Sequence, residues 1–401
     1  MRKLTKEQVK TIRRLYGEAF YALDTRQFSS NFLELKKEFS NIYSNFNIAY
    51  SYKTNYIPSL CKIVKKLGGY AEVVSEMEME LALRIGVDPS KIIWNGPVKN
   101  ENAVTSFLLL GGIVNLDSHD DLAAIKRIIS DYPSKKFKLG IRVNYDVGDG
   151  VISRFGFDVN AKEFEECLNY IVSTKNVEFA SLQCHFAKRN ACFWPARAKG
   201  MADLIKRIGV VPKIIDLGGG IYGKMPGSLK AQFSERIDEY SCYAETVKVF
   251  AQMFADRGPE LIIEPGSALV GDCMQFLGTV KTIKSIRGKW FASVLGSQKN
   301  ISMSSVNPPV EVIHMGNKLQ YFNNIDFVGF TCIEGDILYK NYCGDLALDD
   351  VIVISNCGSY SIVLKPPFIL PNFPIIDISS DRFKLIKKAE SFDDVFHTYV
   401  F

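Results

Sequence analysis

The 401-residue sequence contains no apolar run near the ~20 residues needed to cross a bilayer. No apolar segment follows its basic start, 1–6, so neither a secretory signal nor a membrane span is expected. Lys and Arg (49) barely exceed Asp and Glu (44) and are scattered along the chain, which argues against nucleic-acid binding. The nine cysteines lack C-x-x-C spacing, and this pattern predicts reduced thiols in a cytoplasmic protein without a zinc site.

Between about residues 47 and 265, short β-branched runs alternate with segments of helix length. This alternation predicts an α/β fold, specifically a (β/α)8 TIM-like barrel, with a doubly wound parallel sheet as the alternative. In such a barrel the chemistry lies just after the strands, at their C-terminal ends. The strand candidates are 47–53, 70–74, 91–95, 112–116, 137–144, 178–186, 212–217 and 261–264.

After about residue 267 the pattern changes to one rich in strands. Two apolar runs flank Arg287-Gly288 and predict a β-hairpin. Further strands are expected at 310–314, 325–332, 351–355 and 359–364, and a terminal helix from Arg382 to about 400. We therefore expect a barrel domain over 24–267 and a β-rich domain formed by 1–23 and 268–401.

Four chemically distinct features follow predicted barrel strands, namely Lys53, His185, the glycines 218–220 and Glu264. Each has an ordinary explanation: a solvated lysine, a core histidine, a tight turn and a strand-end salt bridge. Gathered on one rim, they supply an amine, a flat ring, a backbone that can bind phosphate and an acid for a pyridine nitrogen. This combination indicates a pyridoxal 5'-phosphate (PLP) enzyme.

The ordered set of motifs resembles the fold-type III PLP-dependent decarboxylases, the family of diaminopimelate, ornithine and arginine decarboxylases. The resemblance implies an alanine racemase-like barrel with a β-rich domain, and a homodimer in which each active site is completed by the partner subunit. The matching segments are 50–55, 71–75, 154–156, His185, 217–220, 264–266, Cys332 with Asp336, and 358–360.

The resemblance also implies roles by position. Lys53 is expected to form the Schiff base with PLP, and Cys332 to protonate the substrate carbanion from the neighbouring subunit. The implied cofactor-binding residues are Lys53, His185, Gly219, Gly220, Glu264, Gly266 and Tyr360. The implied substrate-binding residues are Ser267, Ile333, Glu334 and Asp336.

Two substrate-reading positions depart from the family pattern. Ser267 stands where an arginine usually follows Glu-Pro-Gly, and Ile333 stands where an acid usually follows the cysteine. The Cys332-Ile-Glu-Gly-Asp336 segment is closer to the carboxynorspermidine decarboxylase pattern. The sequence therefore predicts removal of the α-carboxylate from an amino acid or amino-acid conjugate other than free diaminopimelate or ornithine.

Two alternatives to decarboxylation remain open, and a third is weaker. An amino-acid racemase on the same fold usually places arginine at the pyridine nitrogen, so Glu264 favours decarboxylation. A non-catalytic homologue that acts by protein binding would not need Lys53 and the glycines. A metal-dependent barrel enzyme is disfavoured by four histidines without paired carboxylate spacing.

Overall fold

The computed structural model describes residues 1–254, 258–302, 306–316 and 318–401. It contains two compact units. The barrel unit comprises Ser29–Tyr222 and Glu235–Ala268, and the sheet unit comprises Met1–Phe28, Gly223–Ser234 and Leu269–Phe401. Gly223–Ser234 thus groups with the sheet unit, whereas the predicted division assigned this segment to the barrel domain over 24–267.

The strands follow one another along the chain as short segments of two to thirteen residues. In chain order they are β1 Ala19–Leu23, β2 Phe46–Ser51, β3 Tyr70–Val73, β4 Ile92–Trp94, β5 Ile113–Leu116, β6 Phe137–Asn144, β7 Phe157–Asp158, β8 Val177–Cys184, β9 Ile214–Asp216, β10 Glu260–Ile263, β11 Met274–Ile286, β12 Lys289–Val294, β13 Val310–Ile313, β14 Gln320–Val328, β15 Ile337–Leu346, β16 Val351–Ile354, β17 Ile375–Asp377 and β18 Lys384–Lys387.

The α-helices and single-turn 3₁₀ helices connect these strands. The α-helices are α1 Lys6–Tyr16, α2 Thr25–Ser40, α3 Pro58–Lys66, α4 Glu76–Arg84, α5 Glu101–Leu109, α6 His119–Asp131, α7 Lys162–Ser173, α8 Trp194–Ile208, α9 Gly227–Lys230, α10 Tyr240–Ala244, α11 Lys248–Phe254, α12 Ser267–Val270, α13 Gln298–Ile301 and α14 Phe392–Phe396. The 3₁₀ helices are Tyr52–Thr54, Pro89–Lys91, Ala191–Phe193, Glu245–Val247 and Gly271–Cys273. Among the described helices, none is both long and apolar enough to cross a membrane.

The barrel unit is a closed parallel sheet in the order β5-β4-β3-β2-β10-β9-β8-β6, with β5 pairing β6. Closure confirms the predicted (β/α)8 barrel and rules out the doubly wound alternative, because an open sheet would leave β5 and β6 as edges. All eight predicted strands are present. Seven of them each contribute one buried side chain to a single cluster: Ala49, Tyr70, Ile93, Ile113, Ala180, Ile214 and Ile262.

Helix starts in the barrel unit are fixed by side-chain caps. Ser75 Oγ accepts from the Glu78 N–H, Asn100 caps α5, and Ser118 caps α6. Each cap satisfies a backbone N–H that the first helical turn leaves unpaired. These caps follow the C-terminal ends of β3, β4 and β5, so the strand ends that carry the chemistry are held in place locally.

The sheet unit is built around β11, which pairs antiparallel with β1, β12 and β16. Arg287 and Gly288 have φ values of 52° and 81°, and two successive positive φ values suit a two-residue hairpin turn. The predicted hairpin is therefore confirmed, as is the β-rich character of the second domain. The N-terminal strand β1 belongs to this sheet.

Two expectations for the C-terminal third are wrong. The segment 359–364 forms turns rather than a strand, since Tyr360 adopts φ 63° and Ser361 Oγ donates to the Cys357 carbonyl. The terminal helix from Arg382 is replaced by β18, which pairs antiparallel with β17, and by the five-residue α14. Pairing with β17 decides the backbone of β18 there, over its local helix propensity.

Candidate active site

The C-terminal end of the barrel carries a cavity of about 250 Å³. Lys53, His185 and Glu264 reach it from the ends of β2, β8 and β10, as their positions in the sequence predict. The structure therefore brings the predicted amine, imidazole and carboxylate to one cavity. Its lining residues are Lys53, Glu72, Val74, Asn95, Gly96, Pro97, Arg142, Arg154, Phe155, Gln183, His185 and Glu264.

Lys53 forms an ion pair with Glu72, a buried residue of the neighbouring strand β3. The distance from Lys53 Nζ to Glu72 Oε2 is 2.6 Å, and Ser51 Oγ donates to the same oxygen at 2.5 Å. Burial raises the pKa of Glu72, but Lys53, Ser51 and Asn95 outweigh it and lower the pKa overall. Glu72 is thus a stable anion that fixes the lysine amine at the cavity wall.

Glu264 is held by two amide side chains from other strands. Asn95 Nδ2 donates to Glu264 Oε1 at 2.6 Å, and Gln183 Nε2 donates to Oε2 at 3.2 Å. Asn95 Nδ2 also donates to Glu72 Oε1 at 3.2 Å. One amide nitrogen therefore bridges Glu72, the carboxylate that holds Lys53, and Glu264.

Asp216, at the end of β9, is a third acid beside Glu264. Burial, followed by the charge of Glu264, raises the pKa of Asp216 well above its ordinary value, although Gly218 N–H donates to Asp216 Oδ1 at 2.8 Å. Burial and then repulsion by Glu72 also raise the pKa of Glu264, against the attraction of Lys53. A cation placed at Glu264 would stabilise its ionised form, since opposite charges lower a carboxyl pKa.

His185 is a neutral imidazole in this site. Gly219 N–H donates to His185 Nδ1 at 3.0 Å, so the ring proton of the neutral form lies on Nε2. Burial, followed by the charges of Lys53, Arg197 and Arg142, lowers the pKa of His185 well below 6.5. Nδ1 is 3.9 Å from Glu264 Oε2, but a neutral ring forms no ion pair there. A flat, uncharged ring suits stacking against a planar ligand.

The glycines of this rim allow backbone approaches that a side chain would block. A Cβ on Gly219 would lie 2.4 Å from the Glu264 carbonyl oxygen, and one on Gly266 would lie 1.9 Å from Thr54 Oγ1. Gly218 and Gly220 have φ values of 69° and 89°, a region that favours glycine. The atom nearest to a Cβ on Gly220 is 3.7 Å away, an ordinary van der Waals distance, so its positive φ and not crowding favours glycine there.

These groups fit PLP as a ligand. Lys53 offers a primary amine for an aldehyde carbon, Glu264 a carboxylate for a ring nitrogen, and Gly220 a backbone N–H for a phosphate. The N–H groups of Gly218 and Gly219 bond Asp216 and His185 instead. Gln183 Oε1 is buried and has no hydrogen-bond partner among the described residues. Gln183 Oε1 is thus an acceptor that a bound molecule could use.

The other predicted site residues are not among the residues that line this cavity. Ser267 follows Gly266 as the first residue of α12. In the sheet unit, Cys332, Ile333 and Glu334 are exposed, and Tyr360 is partly exposed. Their assignments to cofactor or substrate stay predictions.

Asp336, the fourth predicted substrate-binding residue, is largely buried within the sheet unit. It accepts from Ser297 Oγ at 3.0 Å, the Gln298 N–H at 2.7 Å and Thr331 Oγ1 at 2.5 Å. Through these bonds its carboxylate joins the loop 331–336 to the start of α13. A contact between Asp336 and substrate stays a prediction.

Several residues of the cavity were not predicted from the sequence. Arg142 pairs with Asp117 at 3.1 Å, and Arg154 lies over the Phe155 ring at 4.1 Å. The missed residues share one signal, which is a polar side chain in or just after an otherwise apolar strand, the feature that drew attention to Glu264. They are Glu72, Asn95, Arg142 and Gln183 in the cavity lining, and Asp216 beside Glu264.

Comparison with known families identifies the family of this chain. The sequence model described as "Pyridoxal-dependent decarboxylase, pyridoxal binding domain" matches residues 26–271. The chain belongs to this family. Its cofactor is PLP, and it is a PLP-dependent amino-acid decarboxylase, as the ordered motifs predict.

Similar proteins cover nearly the whole chain. A diaminopimelate decarboxylase of Aquifex aeolicus is 24% identical over 408 residues, covering 96% of this chain and 92% of that protein. One from Methanothermobacter thermautotrophicus is 23% identical over 403 residues, covering 95% of this chain and 91% of that protein.

Solved structures share the fold. Diaminopimelate decarboxylase of M. jannaschii has a TM-score of 0.85 at 19% identity, covering 98% of this chain and 94% of its own. The Helicobacter pylori enzyme complexed with L-lysine has a TM-score of 0.82 at 22% identity, covering 97% and 98%. The arginine decarboxylase of Paramecium bursaria Chlorella virus has a TM-score of 0.72 at 19% identity, covering 90% and 96%.

Proposed function

We propose that this enzyme removes the α-carboxylate of an amino acid or amino-acid conjugate, with Lys53 and Glu264 at opposite ends of the cofactor. One observation carries the proposal. The amine of Lys53 and the carboxylate of Glu264 face one cavity and are linked through Glu72 and Asn95. This arrangement matches a planar ring that is bound covalently at one end and protonated at the other.

When bound, PLP supplies a cationic ring that accepts the electron pair left as CO2 departs. The protein's own groups set the conditions for that step. With the cofactor bound, Glu264 would keep a proton at the ring nitrogen, because its carboxylate is held by Asn95 and Gln183 and is repelled by Glu72. Glu72 accepts a hydrogen bond from the Lys53 amine at 2.6 Å, and the neutral His185 ring would stack on the cofactor.

The substrate is proposed to lack a free distal amine. Relatives are described as diaminopimelate decarboxylases, and one solved relative holds L-lysine. Ile333, about half exposed, offers an apolar surface where an acid would pair with an ammonium group. A conjugated amino acid whose distal nitrogen is acylated, and therefore uncharged, suits this position better than diaminopimelate or ornithine.

We further propose a cytoplasmic homodimer in which Cys332 of one subunit serves the site of the other. Support comes from the exposed position of Cys332 and from the family resemblance of its segment. Mixing inactive Lys53→Ala subunits with inactive Cys332→Ala subunits tests this arrangement. About a quarter of the activity should return if sites are shared, whereas no recovery in a confirmed mixed dimer contradicts sharing.

The activity is tested with PLP-loaded protein and a panel of free and Nω-substituted amino acids. We expect CO2 and the corresponding amine in equal amounts, and neither from Lys53→Ala. Chiral analysis of remaining substrate separates the alternatives. Racemised substrate without CO2 would establish the racemase, and full PLP occupancy without any turnover would favour the non-catalytic homologue.

A further inference from the structure

A buried arginine lies directly against the glycine loop that follows β9. Arg197 is the fourth residue of α8 and has no exposed surface. Its Nη1 donates to the carbonyl oxygens of Gly219 at 2.6 Å and Leu217 at 3.1 Å. Its Nη2 lies 3.8 Å from where a Cβ on Gly220 would be. The guanidinium therefore supports the loop from within the barrel unit.

The charge of Arg197 has no opposite charge beside it. Among the described residues, no carboxylate forms an ion pair with it, Asp149 and Glu264 act on it only as more distant charges, and its Nε has no hydrogen-bond partner. The Trp194 and Phe186 rings lie 4.4 Å and 5.4 Å from its guanidinium carbon. Burial lowers the pKa of Arg197, because a buried cation without a paired anion is costly. An anion bound nearby would offset that cost.

The contacts of Arg197 also decide which way the loop's donors point. In a trans peptide the N–H lies opposite the carbonyl oxygen. Because Arg197 holds the Gly219 oxygen, the Gly220 N–H points away from the guanidinium. That N–H makes no hydrogen bond to a described residue, and Gly220 is partly exposed. The Gly220 N–H is therefore available to a ligand, and the positive charge of Arg197 lies behind it.

From this geometry we propose that Arg197 sets the affinity of the glycine loop for the phosphate of PLP. It acts as a positioning residue, orienting the 219–220 peptide and placing a positive charge close to a dianion. The inference rests on the proposed function and on the fit of the PLP phosphate to this loop. Ser267, which follows Gly266 on the same rim, adds no charge there.

The other cations near the loop are engaged elsewhere. Lys188 Nζ is 3.6 Å from Glu235 Oε1 and is about two-fifths exposed. Arg189 lies over the Tyr222 ring at 4.3 Å and donates to the Ile221 carbonyl. Arg197 is the cation that contacts the glycines themselves, and its charge is shielded from water.

The test compares PLP with pyridoxal, which lacks the phosphate, in equilibrium absorbance titrations of cofactor-free protein. We expect Arg197→Met to weaken PLP binding about 10- to 100-fold through loss of a nearby opposite charge, and to change pyridoxal binding less than about threefold. Arg197→Lys should fall between Arg197→Met and wild type. The control is Arg207→Met, which removes an exposed arginine from the same helix and should leave both affinities unchanged.

Equal weakening of PLP and pyridoxal would overturn the proposal, since it would show a general structural role. An equal effect of Arg207→Met would overturn it as well. If Arg197→Met fails to fold, Arg197→Lys decides by the same ratio of PLP to pyridoxal affinity. If wild type binds both ligands equally, the phosphate is not bound at this loop, and the proposed cofactor placement fails together with the role of Arg197. Loss of PLP selectivity in Arg197→Met alone, in protein that still decarboxylates, supports both.

Discussion

Replacing Glu264 by glutamine removes one negative charge with almost no change in shape. Gln183 Nε2 donates to Glu264 Oε2, while the buried Gln183 Oε1 has no partner among the described residues. If the Gln183 amide turns over, its oxygen accepts from the new amide nitrogen, and Asn95 still donates to the new amide oxygen. The folded protein should therefore tolerate Glu264→Gln with little loss of stability.

The kcat of Glu264→Gln should fall strongly, although its stability changes little. Losing one charge of a buried hydrogen-bonded pair costs about 3–5 kcal/mol, and the retained hydrogen bonds favour the lower end. A loss of about 3 kcal/mol at the ring nitrogen corresponds to a roughly 100-fold fall in kcat. PLP should still bind, because Lys53 and the glycine loop are unchanged.

The assay is CO2 release at saturating substrate, with PLP occupancy measured by absorbance and folding by thermal denaturation. Lys53→Ala gives the background rate. A Glu264→Gln enzyme that holds PLP and retains more than about a third of the wild-type kcat would refute the assignment of Glu264 to the ring nitrogen.

Three further predictions concern stability and pH. Burial raises the pKa of Glu78 to about 7, so the folded state holds the extra proton between about pH 4.5 and 7, and stability falls as pH rises through that window. Glu78→Gln should therefore raise Tm by a few degrees at pH 8 and hardly at pH 5. Equal Tm shifts at the two pH values would contradict this. The pKa of His185 is lowered below 6.5, so the unfolded state binds the extra proton and stability is lost as pH falls below 6.5. Measured by urea denaturation, the free energy of unfolding of wild type should fall by up to about 1.4 kcal/mol per pH unit more than that of His185→Gln. Parallel curves of unfolding free energy against pH would disprove this. Gly266→Ala should lower stability by about 2–4 kcal/mol, because its Cβ meets Thr54 Oγ1 at 1.9 Å. The control Gly227→Ala, whose Cβ has nothing within 4 Å, should be neutral in the same unfolding assay. Equal losses of stability would show that the Thr54 contact relaxes.

The barrel could be predicted because its strands are local apolar runs. Parallel strands buried on both faces leave continuous β-branched segments such as Ile262–Ile263, and residues that follow them must meet on one rim. Lys53, His185 and Glu264 could be brought together in this way. Closure between β5 and β6 is a long-range pairing that no local pattern encodes.

The polar network beneath the rim was harder to predict. Asn95 is 169 positions from its partner Glu264, and Gln183 is 81 positions from it. Each is a single polar residue in its own strand, and only barrel closure shows that they share a carboxylate. The position of Glu72 beside Lys53 depends likewise on the register between β2 and β3.

Irregular segments of the sheet unit also escaped prediction. Strand β15 was missed because its pairing with β14 shifts register three times. Asn341 and Gly344 adopt positive φ within it, which breaks the alternation of side chains that marks a strand. Local sequence patterns are least informative where bulges and tertiary pairing decide the backbone.

A crystal structure of the PLP-loaded enzyme tests the central claim most directly. We expect continuous density between Lys53 Nζ and the aldehyde carbon of the cofactor, with a Glu264 carboxylate oxygen within about 3 Å of the ring nitrogen. A cofactor joined to another lysine, or a ring nitrogen facing a group other than Glu264, would contradict the account.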